Sequence, residues 1–428
     1  MLKTIRDITP RYPGYDNYPR DAEGKIILPR VDYFVNGKTR KVILIYRKNT
    51  IDFGNGLLGL LDGTKISISD WVDLRKCFIL EEDNGDRTFH WCVGGSDSGA
   101  MLGVSPYDNQ RTVYQTKISD IPEVIDDDTA YRFAYGHANE ELIARGFSTL
   151  SNMNVVKNNT VFFREDLHLQ ANVDFMIQHA DGEWSILEIK TTNPNGKYME
   201  LYSNNMVPFH YYSQAVLHYP VVLGKAFTIK GTFYGIGSDN VLKNIKRIFF
   251  ERDENQEKAY LEATQEFESY LRFQTPPPLL SGEITGKRLK EKLSGLYPTV
   301  SEGKKVKLSD DAVEAANRYL AIGDEIKEKK REIDALSEEQ TKLQCLLIDE
   351  IKDAEFTENF TNSDGEVRYL SYSQTSRTTV DSGILKTKYP ETYEEVAKTT
   401  TSRRLTAKKP KKSVKKGAKN DSMHSRIH

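Results

Sequence analysis

Asp174, Glu188 and Lys190 are the residues whose types and spacing could do chemistry together. They stand in two apolar runs, Asn172-Val173-Asp174-Phe175-Met176-Ile177 and Trp184-Ser185-Ile186-Leu187-Glu188-Ile189-Lys190, on either side of a polar stretch at 179–183. Runs flanking Ala180-Asp181-Gly182-Glu183 spell a β-hairpin. Glu188 and Lys190 are two apart and share a strand face. Asp174 joins them if it pairs with either, which requires an odd-length loop or a bulge; a strict two-residue Asp-Gly turn would set it against Ile189. Two carboxylates and an ammonium at the end of a hairpin suit phosphodiester hydrolysis. The carboxylates would hold a hard divalent cation, Mg²⁺ or Mn²⁺, which lowers the pKa of a bound water and polarises the phosphoryl oxygen. The lysine would orient or help deprotonate that water and offset charge in the transition state. The plain alternative is an ion pair on a strand surface. Glu-Ile-Lys recurs at 325–327 and 350–352, so the tripeptide by itself carries no weight. Strand context and the upstream aspartate single out the first copy.

The elements around the hairpin must position these groups. Residues 131–147 predict a helix ended by Gly146, with Phe133, His137, Glu140, Ala144 and Phe147 in one stripe. Glu140 occupies a place suited to an apolar residue, so it lies at the rim of that face or points into a site. Residues 208–219 read as a helix with Pro208 at its start and Pro220 just past its end, placing Tyr211, Gln214 and His218 on one face. A glutamine there could hold a phosphate, a base or a catalytic carboxylate; the aromatics suit ordinary core packing. In the run from Gly94 to Gly103, Ser96 reads as the N-cap of a short helix, and Gly-rich turns at helix starts bind anions. No Gly-Lys-Ser/Thr follows, so this is not a Walker loop.

The 428 residues, 38% hydrophobic and 29% charged, suffice for a sizeable core and suggest two or three domains. No run of 18 apolar residues occurs, which argues against a membrane span, and residues 1–30 lack the apolar core of a secretory signal. Three scattered cysteines, Cys77, Cys92 and Cys345, support neither a disulfide framework nor a four-cysteine zinc or iron–sulfur site. A reducing cytoplasm is expected. Sixty basic against 62 acidic residues give a net charge of −2, yet nine basic and no acidic residues fall between Arg403 and Lys419. That run reads as a disordered tail over 406–428 suited to a polyanion. Residues 1–70 form an extension of unassigned role, irregular up to residue 40 and then with two or three strands. The densest helix–strand mixture spans 71–260. A linker marked by Pro276-Pro277-Pro278 covers 261–307, and 357–405 form a small mixed segment with a strand at 366–373 and a helix at 389–398. Between 308 and 356, Tyr319, Ile322, Ile326, Ile333, Leu336, Leu343, Leu347 and Ile351 recur at heptad spacing, with Lys329 and Gln340 at the two missing apolar places. This predicts a helical hairpin or short coiled-coil arm, packed on its own chain sooner than on a second copy.

Taken together, the motifs resemble the YqaJ-type viral recombinases, relatives of the lambda-type exonuclease in the PD-(D/E)XK nuclease superfamily. The resemblance covers roughly 71–235 and runs through Trp71-Val72-Asp73-Leu74-Arg75, the segment from Gly94 to Tyr107, Gly136-His137-Ala138-Asn139-Glu140, Ala171-Asn172-Val173-Asp174, Leu187-Glu188-Ile189-Lys190-Thr191-Thr192, and Val207-Pro208 through Gln214. It implies an α/β, restriction-endonuclease-like core, a central mixed sheet flanked by helices, followed by a C-terminal helical arm. It also implies a Mg²⁺- or Mn²⁺-dependent exonuclease of phage or prophage origin, acting in a bacterial cytoplasm. Such an enzyme degrades duplex DNA 5′ to 3′ for recombination beside a single-strand annealing protein, with self-association into an oligomer. By resemblance, Asp174, Glu188 and the Ile189 carbonyl are metal ligands. Lys190 activates water, Glu140 is the helix-borne acid and a further ligand, Gln214 supports the site, and Arg75 and Ser96 hold the DNA 5′-phosphate. An additional segment between Arg75 and Gly94 makes Arg87 a competitor for Arg75, and Glu141 competes with Glu140. A RecB-like single-strand nuclease and an idle DNA-binding scaffold are the alternatives. The first usually carries a cysteine-bound cluster that these cysteines do not support, and the filled acid and lysine positions oppose the second.

Overall fold

The computed structural model describes residues 2–35, 37–119, 127–193, 196–237, 245–297 and 299–397. The Phe133 side chain and the basic run from Arg403 to Lys419 lie outside the described residues. The chain divides into two compact units, Met1–Tyr297 and Pro298–His428.

A mixed six-stranded sheet frames the first unit. Its strands lie side by side in chain order: β1 (Arg6–Asp7), β2 (Val155–Lys157), β3 (Phe175–Gln178), β4 (Trp184–Thr191), β5 (Ile229–Gly237) and β6 (Lys246–Glu251). β1 is parallel to β2, β3 is antiparallel to both its neighbours, β4 is parallel to β5, and β6 is antiparallel to β5. A parallel step needs a crossover, and residues 192–228 supply one with a helix laid over the sheet. Alternation sorts the two faces. Val155, Phe175, Ile177 and Leu187 meet Ile143, Ala144 and Phe147 of the helix Asp127–Ser151. Val156, Met176, Ile186, Tyr234 and Ile236 meet the crossover helix and, behind it, Tyr260, Phe267 and Leu271 of Glu254–Arg272. This is the α/β arrangement expected, a mixed sheet with helices on both faces.

Residues 1–70 are woven into this unit. Leu57–Asp62 pairs antiparallel with Thr160–Arg164 in a five-stranded sheet that also holds Ile51–Asp52, Leu169–Asn172 and Val93–Gly94. The first five residues of Leu57–Asp62 are fully buried, as a central strand demands. The additional segment between Arg75 and Gly94 is a hairpin, Cys77–Glu81 with Arg87–Trp91. It completes a four-stranded sheet with Arg30–Val35 and Lys38–Tyr46. Arg30–Val35 lies in a stretch read as irregular; its partner strand follows directly, with Val35 set against Lys38.

Three boundaries differ from expectation. The helix expected to stop at Gly146 runs on to Ser151, because Ile143, Ala144, Phe147 and Ser148 are all buried and packing outweighs the roughly 1 kcal/mol helix penalty of a glycine. The proline-rich 276–278 segment is held down: Arg111 donates to the Pro277 carbonyl at 3.0 Å and Asn109 to that of Leu279 at 2.7 Å. In the second unit, the arm is one 42-residue helix, Asp310–Ile351, capped by Ser309, and not a hairpin. After it come a small hairpin, Phe360–Thr361 with Val367–Arg368, and the helices Ser382–Lys388 and Pro390–Val396. Among the described residues no helix is long and apolar enough to cross a membrane.

Candidate active site

The β3–β4 register decides the site. Gln178 pairs with Trp184 and Phe175 with Leu187, so the loop between the strands has an odd length and Asp174, just before β3, stands level with Glu188. Asp174 follows the parity of Met176, and Glu188 and Lys190 follow that of Ile186. All three therefore lie on the sheet face covered by the crossover helix. Leu187 and Ile189 turn to the opposite face, beneath Asp127–Ser151, which leaves Ile189 only its main-chain carbonyl to offer the site.

Lys190 donates to Glu188 Oε1 at 2.6 Å, with the two side chains 19% and 15% exposed. Its ammonium also lies 4.4 Å from the Tyr211 ring centroid, a cation–π contact. Burial opposes the lysine's charge, but Glu188 beside it keeps the ammonium above the usual lysine range. Asp174 is pushed up to about 7, by burial first and then by the charges of Glu140 and Glu188. A carboxylate raised this way marks a crowded, partly dry cluster of acids, the setting of functional sites. Asn172 Nδ2 donates to Asp174 at 3.3 Å, while its own Oδ1 is buried without a partner. Glu140 sits at the rim: its side chain is 28% exposed, with His137 Nδ1 at 3.2 Å. Its neighbour Glu141 is 56% exposed and faces Lys157 at 3.8 Å. Of the two, Glu140 is the one whose charge acts on Asp174 and Lys190.

The crossover helix carries a feature that periodicity could not supply. It begins as Phe209–Tyr212, widens into a π-helical turn at Ser213–His218 and continues as Tyr219–Leu223. The expected stop before Pro220 is not observed. Pro220 has no N–H to return to the preceding turn, and the widened turn directly before it absorbs that lack. The extra residue per turn shifts the face. His218 goes into the core, where Nδ1 meets Tyr260 Oη at 2.6 Å and Nε2 the Gln170 carbonyl at 2.9 Å. Tyr219 takes the place predicted for His218 beside Gln214, whose Nε2 donates to Tyr219 Oη at 2.7 Å. Burial lifts the Tyr219 phenol well above its ordinary range, reinforced by Glu188 and, more weakly, Asp174. Tyr211, Asn172 and Tyr219 complete the site; only the π turn revealed the last.

A basic corner adjoins it. Arg75, at the C-terminal end of the Ile68–Leu74 helix, donates to the Ser96 hydroxyl. Ser96 is not the expected N-cap. It lies inside a first turn closed by Asp97, whose Oδ2 accepts from Gly94 N–H at 2.9 Å and from Lys117 at 2.7 Å. Although buried, Asp97 is held below the usual carboxylate range by Lys117 and Arg75. A Cβ at Gly95 would fall 2.7 Å from the Tyr219 ring and 3.3 Å from Gln214, so this turn presses directly on the Gln214–Tyr219 face. Arg87 pairs with Glu81 at 2.7 Å on its own hairpin, not with Ser96.

Could these residues hold a divalent cation? The donors are hard oxygens, Asp174 is destabilised as an anion by two further acids, and the Asn172 amide oxygen is an orphaned acceptor beside it. Each is an observation a dication would relieve. Among the described residues no three His, Cys, Asp or Glu side chains close around a ready-made cage; Glu188 is turned onto Lys190 instead. An open set of one or two carboxylates with waters is what Mg²⁺ accepts, so the residues fit.

The sequence profile of the YqaJ-like viral recombinase domain matches residues 70–226, the stretch that contains every one of these groups. Residues 70–226 are thus similar to the YqaJ-like viral recombinase domain. The chain is 25% identical over 319 residues to the uncharacterized protein YqaJ of Bacillus subtilis (strain 168), across 73% of this chain and 90% of that protein. Among solved structures it is similar, distantly, to the alkaline exonuclease LHK-Exo of Laribacter hongkongensis, with a TM-score of 0.34 and 13% identity over 48% of this chain and 94% of that one. The same enzyme in complex with dAMP gives a TM-score of 0.34 and 14% identity over 42% and 88%. The matched stretch thus coincides with the candidate site, and begins within the Ile68–Leu74 helix that delivers Arg75.

Proposed function

We propose that this YqaJ-like chain is a Mg²⁺- or Mn²⁺-dependent exonuclease that hydrolyses duplex DNA, 5′ to 3′, in phage-type recombination beside a single-strand annealing protein. The observation that carries the reading is the odd-length β3–β4 loop, which sets Asp174 level with Glu188 and brings Lys190 onto the same face. The viral recombinase domain supports DNA as the substrate.

Asp174, Glu188 and the Ile189 carbonyl would hold the cation, with Glu140 at the rim as a further ligand. When bound, the cation polarises the scissile phosphate and acidifies a water. Lys190 leaves Glu188 to orient the attacking water and to offset the charge that develops on the phosphate. Tyr211 stacks against the ammonium and limits where it can swing. Gln214, held by Tyr219, would support the site. Arg75 and Ser96, in contact with each other, would supply a guanidinium and a hydroxyl for a terminal 5′-phosphate.

The test is digestion of 5′-labelled blunt duplex by the full chain with Mg²⁺, with EDTA, and with Lys190→Ala protein. Loss of duplex that needs the metal and vanishes in the variant supports the reading. DNA binding without cleavage in all three arms would instead make the protein an idle scaffold. Removing the 5′-phosphate should slow the wild type and leave an Arg75→Ala variant indifferent.

A further inference from the structure

Tyr107 ends the run that opens on the Ser96 turn, and the run lies along the crossover helix. At its start Gly95 faces Gln214 and Tyr219; further on, a Cβ at Gly99 would fall 2.9 Å from the Cβ of His210. At its end the Tyr107 ring meets that of His210 edge-on, with centroids 5.4 Å apart. The Arg75–Ser96 corner therefore stands at one end of this packing and Tyr107 at the other. Lys190, over the Tyr211 ring, lies between them.

A second ammonium joins the rings at the Tyr107 end. The Tyr198 centroid stands 5.9 Å from that of His210 and 6.1 Å from that of Tyr211. Lys197 Nζ lies 4.5 Å from the Tyr198 centroid and 5.8 Å from that of Tyr107, and it donates to both phenols. The charges of Lys190 and Lys197 both act on His210, which burial keeps neutral, so the two ammoniums border one short stretch of surface. Tyr107 and Lys197 are exposed and Tyr198 is half-buried. The Tyr107 main chain is pinned, because its N–H donates to the Oγ of buried Ser105 at 3.2 Å. Its ring is thus set in place before any ligand arrives, which lowers the ordering cost of binding. A cation held by phenols instead of carboxylates keeps its charge for an anion, and the fixed ring beside it offers a face to a planar group. A phosphate joined to a planar base is what one nucleotide of an unpaired strand presents, and rings beside cations are how proteins hold such strands.

We propose that Tyr107, Lys197 and Tyr198 form a stacking subsite for one unpaired nucleotide, with Tyr107 taking the base, Lys197 the phosphate, and Tyr198 fixing Lys197 from below. The assignment rests on the nuclease reading above. With a terminal 5′-phosphate at Arg75 and Ser96, the bond to be broken falls beside Lys190, and the base received by Tyr107 is that of the second nucleotide. The subsite grips the strand on the side retained after cleavage.

The test measures binding by fluorescence anisotropy, in EDTA, to a 5′-phosphorylated duplex whose first two base pairs are mismatched, so that the end is already unpaired. Tyr107→Ala should weaken binding about tenfold or more, the worth of one base on an aromatic ring, and Tyr107→Phe should bind as the wild type does. Removing the second base alone should weaken the wild type equally and leave Tyr107→Ala no weaker than before, because both changes delete one contact. Lys197→Met should lower the salt slope by one phosphate contact, roughly 0.7–0.9, and Lys197→Arg should keep it. Wild-type affinity in Tyr107→Ala would overturn the proposal. So would a loss on abasic DNA as large as on intact DNA, which would make the cluster a brace within the protein. Metal-dependent digestion by the wild type alongside either result leaves the nuclease standing and removes the subsite alone; a wild type that neither binds nor digests removes both.

Discussion

The same three residues, Glu-Ile-Lys, occur in two settings that share nothing but sequence. On β4, Glu188 and Lys190 share a strand face, are mostly buried, and touch at 2.6 Å. On the long helix, Glu325 and Lys327 point to different sides. Glu325 pairs with Arg318 at 2.9 Å and Lys327 with Asp324 at 2.7 Å, all well exposed. A period of two joins residues i and i+2; a period of 3.6 separates them. The strand copy also has two more acids within electrostatic reach, while the helical copy has only solvent and partners one or two turns away on the same helix. Secondary structure and surroundings turn one string of residues into a candidate site and leave the other as a solvated face.

The sharpest way to break this comparison is substitution. Asp174→Ala, Glu188→Ala or Lys190→Ala should each lower DNA cleavage by about 1,000-fold or more, as loss of a metal ligand or charge-stabilising group does. Glu325→Ala and Lys327→Ala should leave cleavage at the wild-type rate and change stability by no more than about 0.5 kcal/mol. Equal effects in the two settings would remove the site assignment. Cleavage rates and urea midpoints measured side by side decide it.

A smaller effect probes the π turn. Tyr219→Phe keeps the packing and removes the hydroxyl that holds Gln214, so cleavage should fall about tenfold, the worth of a hydrogen bond near 1.4 kcal/mol. Gln214→Ala should cost about as much, and the double variant little more than either single one, because both act through one contact. Additive losses would mean the two residues serve separate ends.

The folded units should differ in acid as well. Burial pulls His218 and His90 down to about 4. They stay neutral in the fold but take up a proton at about 6.5 once unfolded. The unfolded state therefore binds more protons between those values. Their contribution is fully present above pH 6.5 and is lost as pH falls toward 4, by about 1–3 kcal/mol for each. Thermal unfolding of the first unit should weaken across that window, and His218→Asn should flatten the dependence. The long helix carries no histidine, so its far-ultraviolet signal should be indifferent over the same range. The least effect concerns the basic tail. Deleting 406–428 should weaken DNA binding at low salt and reduce the salt slope, as fewer counterions are released, without altering cleavage of bound DNA.

Much of the site was legible because hairpins are local. The odd spacing around residues 179–183 constrains which carboxylate faces which, and that constraint is met. Glu140 was legible as a misfit on an apolar stripe, though not which of its two readings held. It lies at the rim, where its charge still reaches Asp174. The arm was legible as a heptad but not as one uninterrupted helix, since nothing local marks whether a polar break turns the chain. The strands expected after residue 40 are there, whereas Arg6–Asp7 escaped because its partner strand, Val155–Lys157, lies far along the chain.

The sequence by itself determined the alternating strands, the heptad and the composition of the acid cluster, each a property of neighbours within a few residues. The tertiary structure alone decided that Tyr219 and not His218 stands by Gln214, that Arg75 and not Arg87 meets Ser96, and that residues 1–70 are part of the core unit. Those outcomes depend on long-range packing: one widened helical turn or one distant strand pairing moves a side chain from one face to another, and no local propensity records it.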